Sequence, residues 1–419
     1  MNSNRLTTLL ILLALPPMTA FAQATAEPGK VRPRIVATTE SQVTLTSDTA
    51  TMKGSIPATV PSDLVNVITN PARMTAITPP PSLSYTQVRS RIDEAKREMG
   101  GRPMLTALEN RLTQTSYVQI AFLDSNFGEL DYAVILKEQY LKRGVEHRLQ
   151  TRANRIVTLR VVRPNGVNTP LIVTDEMGRS HLPLLAQYPV EREGKFYEVS
   201  YYISTHPGLV TAETVSLGKN YIRNVIYAAR FELQNKGFTI SPLSADMAER
   251  LCIVEHVDHA RFRNESHPDI YNDIFTLYAF NEGQTYRYSV SSAGAGGMIQ
   301  MIPSTYRLIR NRFPGANLLP DFVEGMRNHA NAAKAMLLYI QLTHDDLMRS
   351  SVISEAVNSG TASIHELLSA GYNSNPAKLA GYIRRGGQGW RNLIPRETQI
   401  YLQINASMDI HVPIEPRDR

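Results

Sequence analysis

The sequence predicts an α+β protein in which a mainly α-helical C-terminal region follows a smaller mixed α/β module. Residues 155–205 are rich in β-branched and aromatic residues separated by turn residues, which is typical of strands. From about residue 241 onward, apolar residues recur at the three- and four-residue spacing of helices. With 419 residues, 42% hydrophobic and 20% charged, the chain is long enough for two globular domains.

Residues 1–22 have the pattern of a secretory signal peptide. Arg5 precedes an apolar core at residues 9–15, and Ala20 and Ala22 offer a cleavage site before Gln23. This core is too short to span a bilayer, and no cysteine follows the site to carry a lipid. We therefore expect a periplasmic protein that is not a lipoprotein and that has no stable membrane span after the signal is removed.

The charge balance and the cysteine content narrow the function classes. The chain carries 44 Lys and Arg against 38 Asp and Glu, a net charge of +6. The basic residues are scattered, so we expect no nucleic-acid partner. The single cysteine, Cys252, lies in an apolar run, and we expect a buried thiol rather than a disulfide. No pattern indicates a cofactor.

Two parts of different composition precede the helical region. Residues 23–80 are rich in Thr, Ser, Pro and Ala, and we expect a flexible linker. Residues 81–240 are expected to form an α+β module of unknown function. Its predicted elements are helices at 85–101, 129–143 and 212–235 and three strands between residues 155 and 205.

Residues 241–419 are predicted to be one domain, helical except for a hairpin. The segment "IFTLYAFNEGQTYRYSV", residues 274–290, alternates as a hairpin does, with a loop at 281–284. A helix is expected to begin near Pro303, and another to end at Tyr372 and Asn373 before Pro376.

Glu255 is the first candidate for chemistry. It continues an apolar helical row that includes Ala248 and Cys252, so its carboxyl is expected at the edge of a buried stripe. A glutamate in apolar surroundings has a raised pKa and can serve as a general acid. The alternative is a structural ion pair with an arginine. The surrounding "EHVDH" lacks the H-E-x-x-H spacing of a zinc site, so no metal is predicted.

The segment "SSAGAGGMIQMIPST", residues 291–305, is the second candidate. A dinucleotide loop needs a third glycine where Ile299 stands, and a P-loop needs a lysine that is not there. Small residues let a bulky ligand approach the main chain, and Gln300 offers an amide donor and acceptor. This combination suits a polyhydroxylated ligand. Farther on, Tyr372 and Asn373 could provide hydrogen-bonding groups to the same ligand. The alternative is that Asn373 only stabilises a turn before the next helix.

Taken together, four segments resemble the soluble-lytic-type lytic transglycosylases. That family has a glutamate that closes an apolar helix, then S-x-A-G-A-x-G-L-M-Q-x-x-P-x-T, A-Y-N-A-G-P and P-x-E-T-x-x-Y. This chain has Glu255, "SSAGAGGMIQMIPST", "AGYNSNP" and "PRETQIY" in the same order, over residues 241–405. The resemblance says nothing about residues 23–240.

The resemblance implies a fold, a substrate and a reaction. The fold would be a lysozyme-like domain with the hairpin as an insertion. The substrate would be the peptidoglycan glycan strand, cleaved between N-acetylmuramic acid (MurNAc) and N-acetylglucosamine (GlcNAc), with a 1,6-anhydro product. Glu255 would act first as the acid and then as the base. The residues implied to line the cleft or orient this glutamate are Ser291, Met298, Gln300, Tyr372, Asn373 and Tyr401.

The chain departs from the family pattern between its first two segments. His256 follows the glutamate where the family has a serine, and Glu255 stands 45 residues before Gln300, a much longer spacing. The extra segment contains Glu265 followed by Ser266, so Glu265 is a rival acid. We prefer Glu255, because Glu265 lies in the polar, basic stretch "RFRNES" that would not raise its pKa.

Two alternative functions remain open at this stage. Asp269 or Asp273 would allow lysozyme-type hydrolysis, a muramidase activity, if either reached the cleft. Alternatively, the chain is a wall-docking assembly protein whose 81–240 module recruits an envelope-spanning secretion or conjugation apparatus.

Overall fold

The computed structural model describes residues 83–101, 116–142, 144, 146–162, 170–192, 195–204, 206–281 and 294–418. The predicted signal peptide at 1–22, the predicted linker at 23–80 and the candidate residue Ser291 lie outside these residues.

Seven antiparallel strands form one sheet that is nearly closed into a barrel. They are β1 (Tyr117–Leu123), β2 (Leu130–Leu136), β3 (Glu146–Gln150), β4 (Ile156–Val161), β5 (Leu171–Asp175), β6 (Ser180–Arg192) and β7 (Lys195–Ile203). The order is β2-β1-β6-β5-β4-β3, and β7 also pairs with β6. The long β6 meets β5 at its start and β7 along its second half. Just past β3, the Arg152 amide donates to the Tyr132 carbonyl of β2 over 2.9 Å, which brings the two ends of the sheet together.

Strand β1 buries both of its faces. Val118, Ile120 and Phe122 pack inside the curved sheet, whereas Ala121 and Leu123 pack on its outer face against helix α1 (Tyr85–Gly101). Successive side chains of a strand point to opposite faces, so both rows are apolar here. Helix α1 contributes the apolar stripe that its spacing predicts, namely Val88, Ile92, Ala95 and Met99, each at most 3% exposed.

The prediction of a helix at residues 129–143 is wrong. About half of that segment is strand β2, and only Lys137–Tyr140 form a short helix, α2. Strand β2 reads "LDYAVIL" and is buried on both faces over much of its length. A short apolar run without alternation does not distinguish a buried strand from a helix, and this ambiguity explains the error.

The remaining helices form a second layer of structure around one large core. They are α3 (Ala212–Asn235), α4 (Pro242–Val254), α5 (His259–Asn264), α6 (His267–Phe280), α7 (Pro303–Arg312), α8 (Phe322–Arg327), α9 (His329–Met348), α10 (Ser351–Asn358), α11 (Ile364–Asn373), α12 (Leu379–Gly386) and α13 (Arg396–His411). Helix α9 is buried on all sides over residues 331–340 and forms the centre. Among the described helices, none combines the length and apolar character that a membrane span requires.

Helix α3 shares the core of the helices that follow it. Its buried side chains, Ile222, Ile226, Ala229 and Leu233, belong to the same apolar cluster as those of α4 and α9. The boundary at residues 240 and 241 stays a prediction, but the helix before it is packed into the helical part. Its limits, Ala212–Asn235, confirm the predicted helix.

The predicted fold class is wrong. The sequence indicated a mainly helical lysozyme-like domain after a smaller module, whereas the described residues form a seven-stranded, nearly closed antiparallel sheet together with many helices. The predicted hairpin is also wrong in its first half, because residues 274–280 belong to helix α6. Residues 282–293 lie outside the described residues. Helix α6 has aromatic and apolar residues on several sides, including buried Phe275 and Tyr278, and such a run imitates a strand.

The sheet meets the helical part beside the glycine-rich segment. The Tyr85 ring stacks on Phe280 with centroids 5.1 Å apart, and its hydroxyl donates to the Ala279 carbonyl over 3.0 Å. On the other side, Arg327 at the end of α8 forms a two-pronged ion pair with Glu198 of β7. These contacts fix helix α1 to α6 and strand β7 to α8.

Helix α4 carries Glu255 and is anchored at its first turns by Arg417. The Arg417 guanidinium lies 2.8 Å from Asp246 and 2.5 Å from Glu249, and its side chain is 7% exposed. Arg223 adds a second contact to Glu249 at 3.3 Å. Burial raises the pKa of Glu249, and Arg417 acts in the opposite direction.

Replacing Arg417 with alanine is expected to lower the free energy of unfolding by about 3 kcal/mol near pH 8, because Glu249 then loses a buried partner while Arg223 remains. The loss should shrink as the pH falls to about 5. A carboxyl whose pKa is higher in the folded than in the unfolded state makes the fold less stable as the pH rises between those two pKa values. The pKa of Glu249 is already raised by burial, and removing Arg417 raises its pKa in the folded state further. Urea unfolding at both pH values measures the effect.

The matched control is Arg349→Ala, which removes a surface arginine that is 72% exposed and paired with Asp346. This change should alter stability by no more than about 0.5 kcal/mol at either pH. An Arg417→Ala deficit of the same size at both pH values would contradict the role given to Glu249.

Candidate active site

Glu255 stands at the end of α4, where the helix stops and its carboxyl meets α13. It is the C-cap residue, partly buried, and its backbone amide still donates to the Leu251 carbonyl. The hydroxyl of Tyr401, a buried residue of α13, donates to Glu255 Oε1 over 2.8 Å. This bond orients the carboxyl. The structure thus brings together two predicted site residues that are 146 positions apart in the chain.

The glycine-rich segment forms a tight turn over residues 296–301. Gly296 and Met301 bridge its two ends, and the Gln300 amide donates to the Gly297 carbonyl over 3.3 Å. Gly297 has φ +73°, and a Cβ atom there would lie 2.5 Å from the Met326 carbonyl oxygen of α8. Glycine is therefore required at this position by both the backbone conformation and the close approach of α8.

Gln300 is held in a strained conformation. It is one of the non-glycine residues with positive φ, at 47°, and it is 8% exposed. Its side-chain Nε2 donates to the Gly297 carbonyl over 2.9 Å, so the turn fixes the orientation of the amide. Backbone strain of this kind is typical of binding and catalytic sites. That Gln300 contacts a ligand stays a prediction.

Side chains from three parts of the fold hold the carbonyl groups of the turn. His256 Nε2 lies 3.0 Å from the Met298 carbonyl oxygen, and the Tyr278 hydroxyl lies 3.2 Å from the same oxygen. The Tyr372 hydroxyl donates to the Ile299 carbonyl over 2.7 Å. The turn is thereby connected to the end of α4, to α6 and to α11.

Four of the predicted cleft residues are buried, namely Met298, Gln300, Tyr372 and Tyr401. Tyr372 is 3% exposed, and its hydroxyl is bonded to the turn. Burial, together with the negative charge of Glu255, raises its pKa well above the ordinary value, so the phenol is neutral. Met298 is fully buried, and its side chain belongs to the apolar core. Tyr372 thus supports the turn from α11, and the Met298 side chain fixes the turn in the apolar core.

Asn373 connects α11 to α13. It is partly buried, and its Oδ1 accepts a hydrogen bond of 2.8 Å from Thr398 Oγ1. Thr398 and Tyr401 both belong to the "PRETQIY" segment, so this segment contacts Asn373 through one residue and Glu255 through the other.

The rival acid Glu265 lies in a different environment. It is exposed, follows α5 and forms a 2.7 Å ion pair with Arg261. Arg261 also pairs with Asp273 at 2.6 Å. Asp269 is exposed at the start of α6. Glu265 and Asp273 thus both contact Arg261, whereas Glu255 is bonded to Tyr401.

Cys252 is a free, fully buried thiol, and burial raises its pKa. A protonated thiol in the core is a poor nucleophile, in keeping with the buried thiol expected from the sequence. Within the described ranges, no group of three His, Cys, Asp or Glu side chains is placed to hold a metal ion.

The roles of His256 and Tyr278 in holding the turn were not predicted. Their acceptors are backbone carbonyl groups, which leave no mark in a sequence, and Tyr278 had been placed in a hairpin. Comparisons of the chain with family models, curated proteins and solved structures give no match.

Proposed function

We propose that the chain is a peptidoglycan lytic transglycosylase that cleaves the β-1,4 bond between MurNAc and GlcNAc. The observation that carries the proposal is that the Glu255 carboxyl is partly buried and hydrogen-bonded to Tyr401. The resemblance to soluble-lytic-type transglycosylases implies a role for each of these two residues. The second support is the strained turn with Gln300, which is tied through His256 to the end of the same helix.

The proposed reaction uses one carboxyl group twice. Protonated Glu255 gives its proton to the glycosidic oxygen, the bond to C1 of MurNAc breaks, and GlcNAc leaves with a new hydroxyl group. The Glu255 carboxylate then takes the proton from the C6 hydroxyl of the same MurNAc as its oxygen bonds to C1. The product is a 1,6-anhydro sugar, and Glu255 ends protonated for the next cycle.

Lysozyme-type hydrolysis receives less support from the geometry. A glycosidase that uses water normally needs a second carboxylate across the bond. The carboxylates considered for that task are Asp273, which is paired with Arg261, and Asp269, which is exposed at the start of α6. The intramolecular attack by the sugar's own hydroxyl needs only the glutamate, so we favour the transglycosylase over the muramidase.

The proposed substrate agrees with the predicted export. Peptidoglycan lies in the periplasm, to which the predicted signal peptide at 1–22 would direct the chain. An envelope-spanning assembly as partner of the sheet stays a prediction, since the proposed chemistry does not depend on it.

Digestion of purified peptidoglycan sacculi tests the proposal. We expect soluble muropeptides that end in 1,6-anhydro-MurNAc, lighter by one water than the corresponding reducing-end fragments, as identified by mass spectrometry. Products with only reducing ends would show a muramidase instead. Sacculi incubated without the protein provide the background of anhydro ends that strands already carry.

A further inference from the structure

We propose that His256 is a positioning residue for this reaction: its ring holds the Met298 carbonyl group and thereby fixes the 296–301 turn against the helix end that carries Glu255. The inference rests on the proposed function and names a residue that the sequence segments do not assign.

The backbone of His256 is fixed by α4. Its amide donates to the Ile253 carbonyl over 3.0 Å, and the preceding amide, that of Glu255, makes the last helical hydrogen bond of α4, to the Leu251 carbonyl. From this fixed position, Nε2 reaches the Met298 carbonyl oxygen at 3.0 Å. A carbonyl oxygen only accepts hydrogen bonds, so Nε2 carries the proton. The residue next to Glu255 therefore connects the glutamate to the turn that presents Gln300.

Tyr278 cannot replace this donor fully. Its hydroxyl has one proton and lies between two carbonyl oxygens, 2.8 Å from that of Cys252 and 3.2 Å from that of Met298. The shorter contact is the one to Cys252, at the end of α4. The Tyr278 ring also packs edge-on against His256, with centroids 5.8 Å apart, so the two side chains support each other.

Two other contacts of the turn do not involve His256. Tyr372 holds the Ile299 carbonyl, and Gly297 is pressed against α8. We therefore expect a variant without the His256 donor to stay folded while Met298 and Gln300 shift relative to Glu255. A displacement of about 1 Å at a catalytic site can lower the rate about 100-fold.

The test compares two side chains of similar size at position 256. His256→Gln keeps an N–H donor at about the position of Nε2, whereas His256→Met does not. With soluble, uncrosslinked glycan strands as substrate, His256→Met should lower kcat about 10- to 100-fold and change KM by no more than about threefold. His256→Gln should restore most of kcat. Equal losses in both variants, or full kcat in His256→Met, would overturn the proposal.

Tyr271→Phe is the matched control. Tyr271 lies in the same helix as Tyr278 and is equally buried, but its hydroxyl donates to the Ile404 carbonyl of α13. This variant loses a buried hydroxyl that bonds to α13 and not to the turn, so kcat should stay within about twofold of the wild-type value. A comparable loss of kcat would mean that the His256→Met effect reflects general destabilisation.

Hydrogen exchange separates this proposal from the proposed function. The amides of Gly296 and Gln300 are bonded within the turn, so peptides covering residues 294–302 should exchange faster in His256→Met than in the wild type and in Tyr271→Phe. Unchanged exchange in His256→Met would overturn the positioning role. A wild-type protein that releases no anhydro products would instead overturn the transglycosylase function, and the exchange result would still decide whether His256 holds the turn.

Discussion

Replacing Glu255 with glutamine is expected to lower the rate of glycan cleavage by about 10³-fold. One positioned acid or base contributes about 10²- to 10⁴-fold to a rate, and Glu255 is proposed to perform both tasks. Glutamine has the same shape and its carbonyl can accept the hydrogen bond from Tyr401, so the fold should be preserved. The rate is measured as anhydro-muropeptide release from sacculi, and thermal unfolding checks that the variant is folded.

The matched control is Glu265→Gln, which removes the rival carboxyl. Because Glu265 is exposed and paired with Arg261, this variant should keep its rate within about twofold of the wild-type value. If Glu265→Gln lost activity while Glu255→Gln kept it, the acid would be assigned to the wrong residue. Full activity in both variants would contradict the transglycosylase proposal.

Replacing Gly218 with alanine is expected to lower the free energy of unfolding by about 3 kcal/mol or more. Gly218 lies where α3 crosses α6, and a Cβ atom there would be 1.9 Å from the Phe275 carbonyl oxygen. The obstacle is backbone, so the two helices would have to separate, and overpacking of this kind is costly. Urea unfolding followed by circular dichroism measures the loss.

Gly381→Ala is the matched control, because Gly381 is also a helical glycine but has room for a Cβ atom. Gly381 lies in α12, and the nearest heavy atom to an added Cβ would be Arg385 Nη1 at 3.5 Å. Alanine is the better helix former, so this variant should be unchanged or up to about 1 kcal/mol more stable. Equal stability of the two variants would mean that α3 and α6 do not approach as closely as described.

The sequence predicted those elements whose apolar residues lie on one side. Helices α1 and α3 are confirmed within their predicted limits, and the strands expected around β4, β5 and β7 are present. Strand β2 and helix α6 were assigned to the wrong class because both are buried on several sides. Complete burial removes the periodicity that distinguishes a strand from a helix. The near closure of the sheet depends on pairings distant in the chain, for which the sequence has no local signal.

The candidate site was predicted in part. The resemblance to soluble-lytic-type transglycosylases implied roles for two residues that do meet, Glu255 and Tyr401. The sequence did not reveal that the Tyr372 hydroxyl would hold the turn or that the Met298 side chain would lie in the apolar core. An aromatic or apolar residue has the same sequence signature whether it contacts a ligand or supports the backbone. Nor did it indicate that His256 would reach Met298, since that contact exists only once the chain is folded.

The packing of α3 also determines where recombination between related genes could exchange parts of such a protein without breaking its core. Recombination at codon 240 would take α3 from one parental protein and the helices that it packs against from the other. The apolar faces of the two parts would then no longer match. An exchange that keeps this core intact has to fall between β7 and α3, near residues 204–211. The heritable unit that contains Glu255 thus begins about thirty residues earlier than the change of composition in the sequence suggests.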